Sequence, residues 1–188
     1  MMSDLVSTTA TVVTLVIMLS FYVSWRAGRL DRLHTRVETA YAALDAALVR
    51  RSAAVLELAS APELEPASAV LLADAAGQAR RAGGQGDGSR ELAESTLSRT
   101  LRAVMEEPGF RAALADAGRT GPGKGDDLVE EVVAAAKRVH LARRFYNDAV
   151  ASTREARASR LVRTLLLAGR APLPDFFEMD DEPPRLPR

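Results

Sequence analysis

The stretch from Leu5 to Trp25, LVSTTATVVTLVIMLSFYVSW, runs for 21 residues between Asp4 and Arg26 without one charged side chain. A bilayer's hydrocarbon core takes about 20 mostly apolar residues at about 1.5 Å rise each, so the stretch has the length of a membrane-spanning helix. A cleaved secretory signal would need a basic start, a shorter apolar centre and a small-residue cleavage site. Here the amino end carries Asp4 and no Lys or Arg, and the run finishes Phe21-Tyr22-Val23-Ser24-Trp25. The segment therefore reads as a retained anchor. Arg26, Arg29, Arg32 and Arg36 follow it and no basic residue precedes it, which predicts a cytoplasmic carboxyl-terminal part. Thr8, Thr9, Thr11 and Thr14 suit lipid if their hydroxyls bond back to helix carbonyls.

Outward from the anchor, composition narrows the function classes. The 25 basic and 25 acidic residues balance, leaving no excess of positive charge to neutralise phosphates, so nucleic acid is not an expected partner. The bilayer is one, together with an unidentified membrane or cytoplasmic protein. The absence of cysteine removes disulfides, thiolate catalysis and zinc-thiolate sites.

Ala, Leu, Arg and Glu crowd every segment, and no run alternates Val or Ile with polar residues, so the chain is expected to be all-α. Leu30, Leu33, Val37, Tyr41, Leu44, Leu48, Val55 and Leu58 form an apolar stripe that Ala61-Pro62 stops. A second helix, from about Glu65 to Arg81, shows Leu64, Val70, Leu71, Ala75 and Ala79 and ends at a Gly-rich connector. Ser89 is placed to cap a third, with Leu92, Leu97, Leu101 and Val104, until Glu107-Pro108-Gly109 interrupts it before Phe110 and Leu114. A fourth starts at Asp126 or Asp127 and runs to about Leu167. Its seam of Leu128, Val132, Ala135, Val139, Ala142, Tyr146, Ala149, Thr153 and Ala156 repeats at four and three residues, as a helix packed on a partner helix requires. The alanines predict a close antiparallel approach, and the same seam is compatible with a homo-oligomer. The expected architecture is a transmembrane helix over residues 1–25 and an antiparallel up-and-down four-helix bundle over 26–168 with long first and last helices. An extended Pro-rich acidic tail over 169–188 completes it, with Phe176 and Phe177 folded back on the bundle.

On the fourth helix, Ala142-Arg143-Arg144-Phe145-Tyr146-Asn147-Asp148-Ala149-Val150 resembles the signature of the LemA family of membrane-anchored bacterial proteins. The resemblance extends to the amino-terminal span, to Leu44-Asp45 and Arg50-Arg51, and to Phe176-Phe177-Glu178. After Arg51 the family usually continues Asp-Leu-Ile-Pro-Asn, whereas here Ser52-Ala53-Ala54-Val55-Leu56 follows. The resemblance implies a single span and a cytoplasmic four-helix bundle, with no agreed biochemical activity.

The apparent chemical motifs are incomplete. Gly118-Arg119-Thr120-Gly121-Pro122-Gly123-Lys124 fits the first seven places of a phosphate-binding loop, but Gly125 stands where the magnesium-holding Ser or Thr belongs and no strand precedes it. Neither His34 nor His140 has a Glu three residues before it, as a bundle-held metal pair would need. No catalytic residue, cofactor, metal or small-molecule substrate is expected. The candidate residues are Arg50, Arg51, Arg143, Arg144, Tyr146, Asn147 and Asp148. Either Asn147 or Asp148 bonds Arg50 or Arg51 to set helix register, or the cluster forms a partner-binding surface. These readings make the chain a non-enzymatic scaffold or adaptor. The alternative is a signal relay in which the first helix couples the envelope to cytoplasmic partners.

Overall fold

The computed structural model describes residues 2–83, 88–110, 124–159 and 172–185. Among these residues there is no strand, and four long helices carry the fold: α1 (Met2–Ala59), α2 (Pro66–Ala82), α3 (Ser89–Glu106) and α4 (Lys124–Ala158). The chain is all-helical. The phosphate-loop-like segment, Leu114 and the expected extension of α4 to Leu167 lie outside the described residues, apart from its last residue Lys124 and the neighbouring Gly125.

Local chemistry explains the helix ends. After α1, the Ser60 amide donates to the Leu56 and Glu57 carbonyls at 3.1 Å each, and Pro62 blocks continuation. Glu65 caps α2, accepting from the Ser68 amide at 3.1 Å and the Ser68 hydroxyl at 3.0 Å. Pro66 occupies the first turn, where its missing N–H costs nothing. The cap expected at Ser89 falls instead on Gly88, whose φ of 79° lies in the left-handed region, so the chain turns into α3 through backbone freedom rather than a side-chain cap. At the other end Glu107 is extended ahead of Pro108, as the residue before a proline prefers.

The chain divides into two compact units, Met1–Thr39 with Asp148–Asp175, and Ala40–Asn147 with Phe176–Arg188. In the first, the apolar segment of α1 is exposed from Val6 through Phe21, and α1 there is long and apolar enough to cross a membrane. Thr11 and Thr14 hydroxyls donate to the Ser7 and Ala10 carbonyls, both at 2.9 Å. Nearer the end of this unit's share of α1, Leu30 and Val37 are buried, as are Ala149, Val150 and Thr153 of α4. Arg26 reaches the Ser159 hydroxyl at 3.1 Å. Arg154 and Arg157 hold the Pro174 and Pro172 carbonyls at 2.7 and 2.9 Å.

The second unit holds the main core. Ala54, Val55 and Leu58 of α1 meet Leu72, Ala75, Ala76 and Ala79 of α2, and Leu97, Leu101, Val104 and Met105 of α3. Phe110 and then Val129, Val132, Val133 and Ala135 of α4 complete the cluster. Three expectations need correction. In α2, Val70 and Leu71 are 68% and 57% exposed while Leu72 is wholly buried, because the four-three spacing that faces the core runs Ser68, Leu72, Ala75, Ala79 and Ala82. In α3, Leu92 is exposed and the stripe is carried back from Leu97 by Glu94 and Arg90, both buried. In α1, Tyr41 is exposed, and the gap left in the stripe between Leu48 and Val55 is filled by buried Arg51 and Ser52.

Candidate functional site

Two polar constellations interrupt the apolar packing of the second unit. The inner one begins at Arg51, which lies on the core stripe of α1 and is only 2% exposed, as is Glu94 of α3. Its guanidinium donates to Glu94 Oε2 at 2.6 Å, to the Glu94 carbonyl at 3.2 Å and to Ser98 Oγ at 2.8 Å. Ser98 in turn donates to the Glu94 carbonyl at 3.1 Å. Burial pushes the Glu94 carboxyl above the ordinary range, and Arg51 pulls it back only in part. One helical turn away, buried Arg90 bonds Asp45 of α1 and donates to the Tyr41 hydroxyl at 3.1 Å. Burial alone would lower the Arg90 pKa, but the Asp45 hydrogen bond, with Tyr41, Asp45 and Glu94 acting through charge, raises it above the ordinary value. Tyr41 also stands against buried Tyr146 of α4, ring centroids 5.6 Å apart and planes at 59°. A buried charge without a partner is strongly destabilising, and each of the buried groups Arg51, Glu94 and Arg90 has an oppositely charged partner, Asp45 being the one that stays half in water.

The outer constellation is where the carboxyl-terminal segment lies on α3 and α4. The Asn147 amide clasps the Phe177 backbone in both directions, Oδ1 accepting from the Phe177 N–H at 3.0 Å and Nδ2 donating to its carbonyl at 3.2 Å. Phe177 is 5% exposed, whereas Phe176 is 40% exposed; of the two rings expected to fold back, one is buried. Three residues on, the Asp180 amide donates to Ser95 Oγ at 3.0 Å, and its carboxylate receives two hydrogen bonds from Arg102 at 2.8 and 2.5 Å. That fork holds the Asp180 carboxyl below the ordinary aspartate range and raises the Arg102 pKa. Asp181 accepts two hydrogen bonds from Arg143, at 2.6 and 3.0 Å, and lies 3.0 Å from His140 Nδ1.

The candidate residues therefore separate. Arg143, Asn147 and Tyr146 enter these constellations; Arg144, Asp148 and Arg50 are exposed. The expected register pairing of Arg50 or Arg51 with Asn147 or Asp148 is replaced: Arg51 bonds α3, and Asn147 bonds the tail. The reason is reach, since Arg51 faces the core side of α1, where its terminal nitrogens bond Glu94 and Ser98, and Asn147 meets a backbone that offers both a donor and an acceptor. Arg90, Glu94, Ser95, Ser98 and Arg102 were not singled out from the sequence. Arg90, Glu94, Leu97, Leu101 and Val104 are spaced four, three, four and three, so the helical period alone places two charges on the core face of α3.

Comparison of the chain with protein-family models, with curated proteins and with solved structures finds no match.

Chemically, the buried Glu94 carboxylate is neutralised by Arg51, and the tail carboxylates of Asp180 and Asp181 by Arg102 and Arg143. Among the described residues, no group of three or more His, Cys, Asp or Glu is placed to hold a metal ion. A shallow pocket at the end of α1 and the start of α4 has Glu57, Ser60 and Glu63 as its polar side chains. The arrangement fixes helices and a tail in register and presents a polar surface.

Proposed function

We propose that the chain is a LemA-like, single-pass membrane protein whose cytoplasmic helices form a non-enzymatic scaffold or adaptor for a protein partner. The observation that carries this reading is the apolar part of α1, exposed from Val6 through Tyr22, whereas the second unit buries a core of its own. Contiguous apolar surface of that kind calls for lipid or protein, and the Thr11 and Thr14 back-bonds leave their hydroxyls satisfied without water. The four arginines after the span support a cytoplasmic body. An antiparallel four-helix bundle is supported within the second unit: Tyr41 meets Tyr146, while Ala54 to Leu58 share a cluster with Val129 to Ala135, so numbers fall along α4 as they rise along α1.

The test is extraction of membranes with alkaline carbonate, combined with protease added outside intact cells. The proposal expects the chain to stay with the membrane pellet and its carboxyl-terminal part to survive the protease. Release into the aqueous fraction, or digestion from outside, would overturn it.

One observation favours the relay as a second reading, namely that α1 is unbroken from Met2 to Ala59. Gly28→Pro would interrupt α1 beyond the span. A relay predicts that this variant stays anchored and binds its partner but loses the response to membrane state; a passive scaffold predicts no change.

A further inference from the structure

The innermost ion pair and those of the tail differ in how far they are sealed from water. Arg51 and Glu94 are sealed from water, whereas the tail's ionic groups remain partly solvated: Arg102 and Asp180 side chains are 19% and 32% exposed, Arg143 and Asp181 24% and 11%. Solvated ion pairs are individually weak and screened by salt. The tail is also held by features that recognise an extended peptide in general. Asn147 reads backbone atoms only, Ser95 reads a backbone amide, one buried ring provides an apolar anchor, and two consecutive carboxylates are divided between arginines on different helices. The chain has no cysteine to lock the segment covalently.

We propose that the surface shared by α3 and α4 is a docking site for an extended acidic peptide of a partner protein, led by an aromatic residue. The chain's own residues 176–185 are its resting occupant and are displaced when the partner's segment competes. The pattern the surface selects is the one the tail displays: a buried aromatic at Phe177, then carboxylates three and four residues later at Asp180 and Asp181. A tethered segment competes at an effective concentration of about millimolar, so the closed state resists chance acidic peptides and yields only to a better-matched or locally concentrated one. The inference deepens the scaffold reading by naming its partner surface, and its assay involves no membrane placement, so failure here and failure of the anchor are told apart.

The test uses the full chain in detergent and a fluorescent synthetic peptide of residues 174–185. Asp180→Lys with Asp181→Lys in the chain sets lysines against Arg102 and Arg143 and dislodges the tethered tail. The peptide is expected to bind this variant at least tenfold more tightly than the wild-type chain. A scrambled peptide of the same composition should not bind, and adding Arg102→Glu and Arg143→Glu should abolish the gain. A variant with unchanged helicity that ignores the peptide, or binds the scrambled one equally, overturns the proposal. So does a variant that unfolds, because the tail is then an integral part of the core. Stoichiometric assembly of wild-type chains with the variant would assign the surface to a second copy rather than a partner protein. Hydrogen exchange on the wild-type chain gives an independent reading. The Phe177 and Asp180 amides are expected to exchange at least tenfold faster than the interior amides of α3 and α4, and faster still in high salt; equal protection overturns the proposal.

Discussion

At the scale of single residues, Arg51 and Glu94 mark the point where stability and specificity part. Each is 2% exposed and each bonds the other, with Ser98 and the Glu94 carbonyl also accepting from the guanidinium, whose buried Nε is left without a hydrogen-bond partner. Removing one partner leaves a buried uncompensated charge, so Glu94→Ala or Arg51→Ala is expected to cost about 3–5 kcal/mol in denaturant unfolding. Replacing both, as Arg51→Met with Glu94→Leu, should recover most of that loss, because the desolvation penalty disappears with the charges. A double variant as unstable as the singles would show that the pair is indispensable to packing. The helical period places both residues on core faces, so their positions were legible in the sequence. Their pairing was not, because nothing in one sequence states which polar residue on α3 faces Arg51. The assignment of Asn147 to an arginine failed for the same reason, since the alternative partner was a backbone thirty residues downstream in a tail of irregular structure.

At the scale of elements, α2 shows how small residues blur a helical register. Val70, Leu71 and Leu72 are consecutive, and apolarity alone does not say which one faces the core; the alanines at 75, 76, 79 and 82 decide it by spacing. Leu72→Ala is therefore expected to destabilise by about 2–5 kcal/mol, and Leu71→Ala to stay within about 0.5 kcal/mol of wild type, as thermal or denaturant melts would measure. The heptad seam of α4 was readable because it is long: Val132, Ala135, Val139, Tyr146, Ala149 and Thr153 are buried, while Leu128, Ala142 and Ala156 are half-buried. The tail responds to acid through Asp180. Arg102 keeps that carboxyl below the ordinary value, so its contribution to docking is complete above the free aspartate pKa and is lost as pH falls through the lowered one. Tail docking should weaken below about pH 4, by no more than about 1 kcal/mol because the pair is partly solvated. Asp180→Asn should remove this acid dependence, as followed by the amide shifts of residues 177–182. Glu94 has the opposite sign. Its pKa is raised by burial, so its contribution is present below the ordinary glutamate pKa and diminishes as pH rises through the raised value.

At the scale of the whole molecule, the sequence was most informative where it was simplest. A charge-free run and a sustained seven-residue repeat announce a long exposed apolar helix and packed helices, since each rests on a single period or length. The tail's mode of attachment depends on side chains from α3, α4 and the tail at once, and no local pattern encodes that meeting. The proposed function puts the apolar part of α1 in lipid and the helical body on the cytoplasmic side. The most direct measurement follows two chains expressed in the same cells, the full protein and one beginning at residue 27, through alkaline carbonate extraction. The account predicts that the full chain remains in the pellet and the shortened chain is recovered folded in the supernatant. A full chain that leaves the membrane with the shortened one would contradict it.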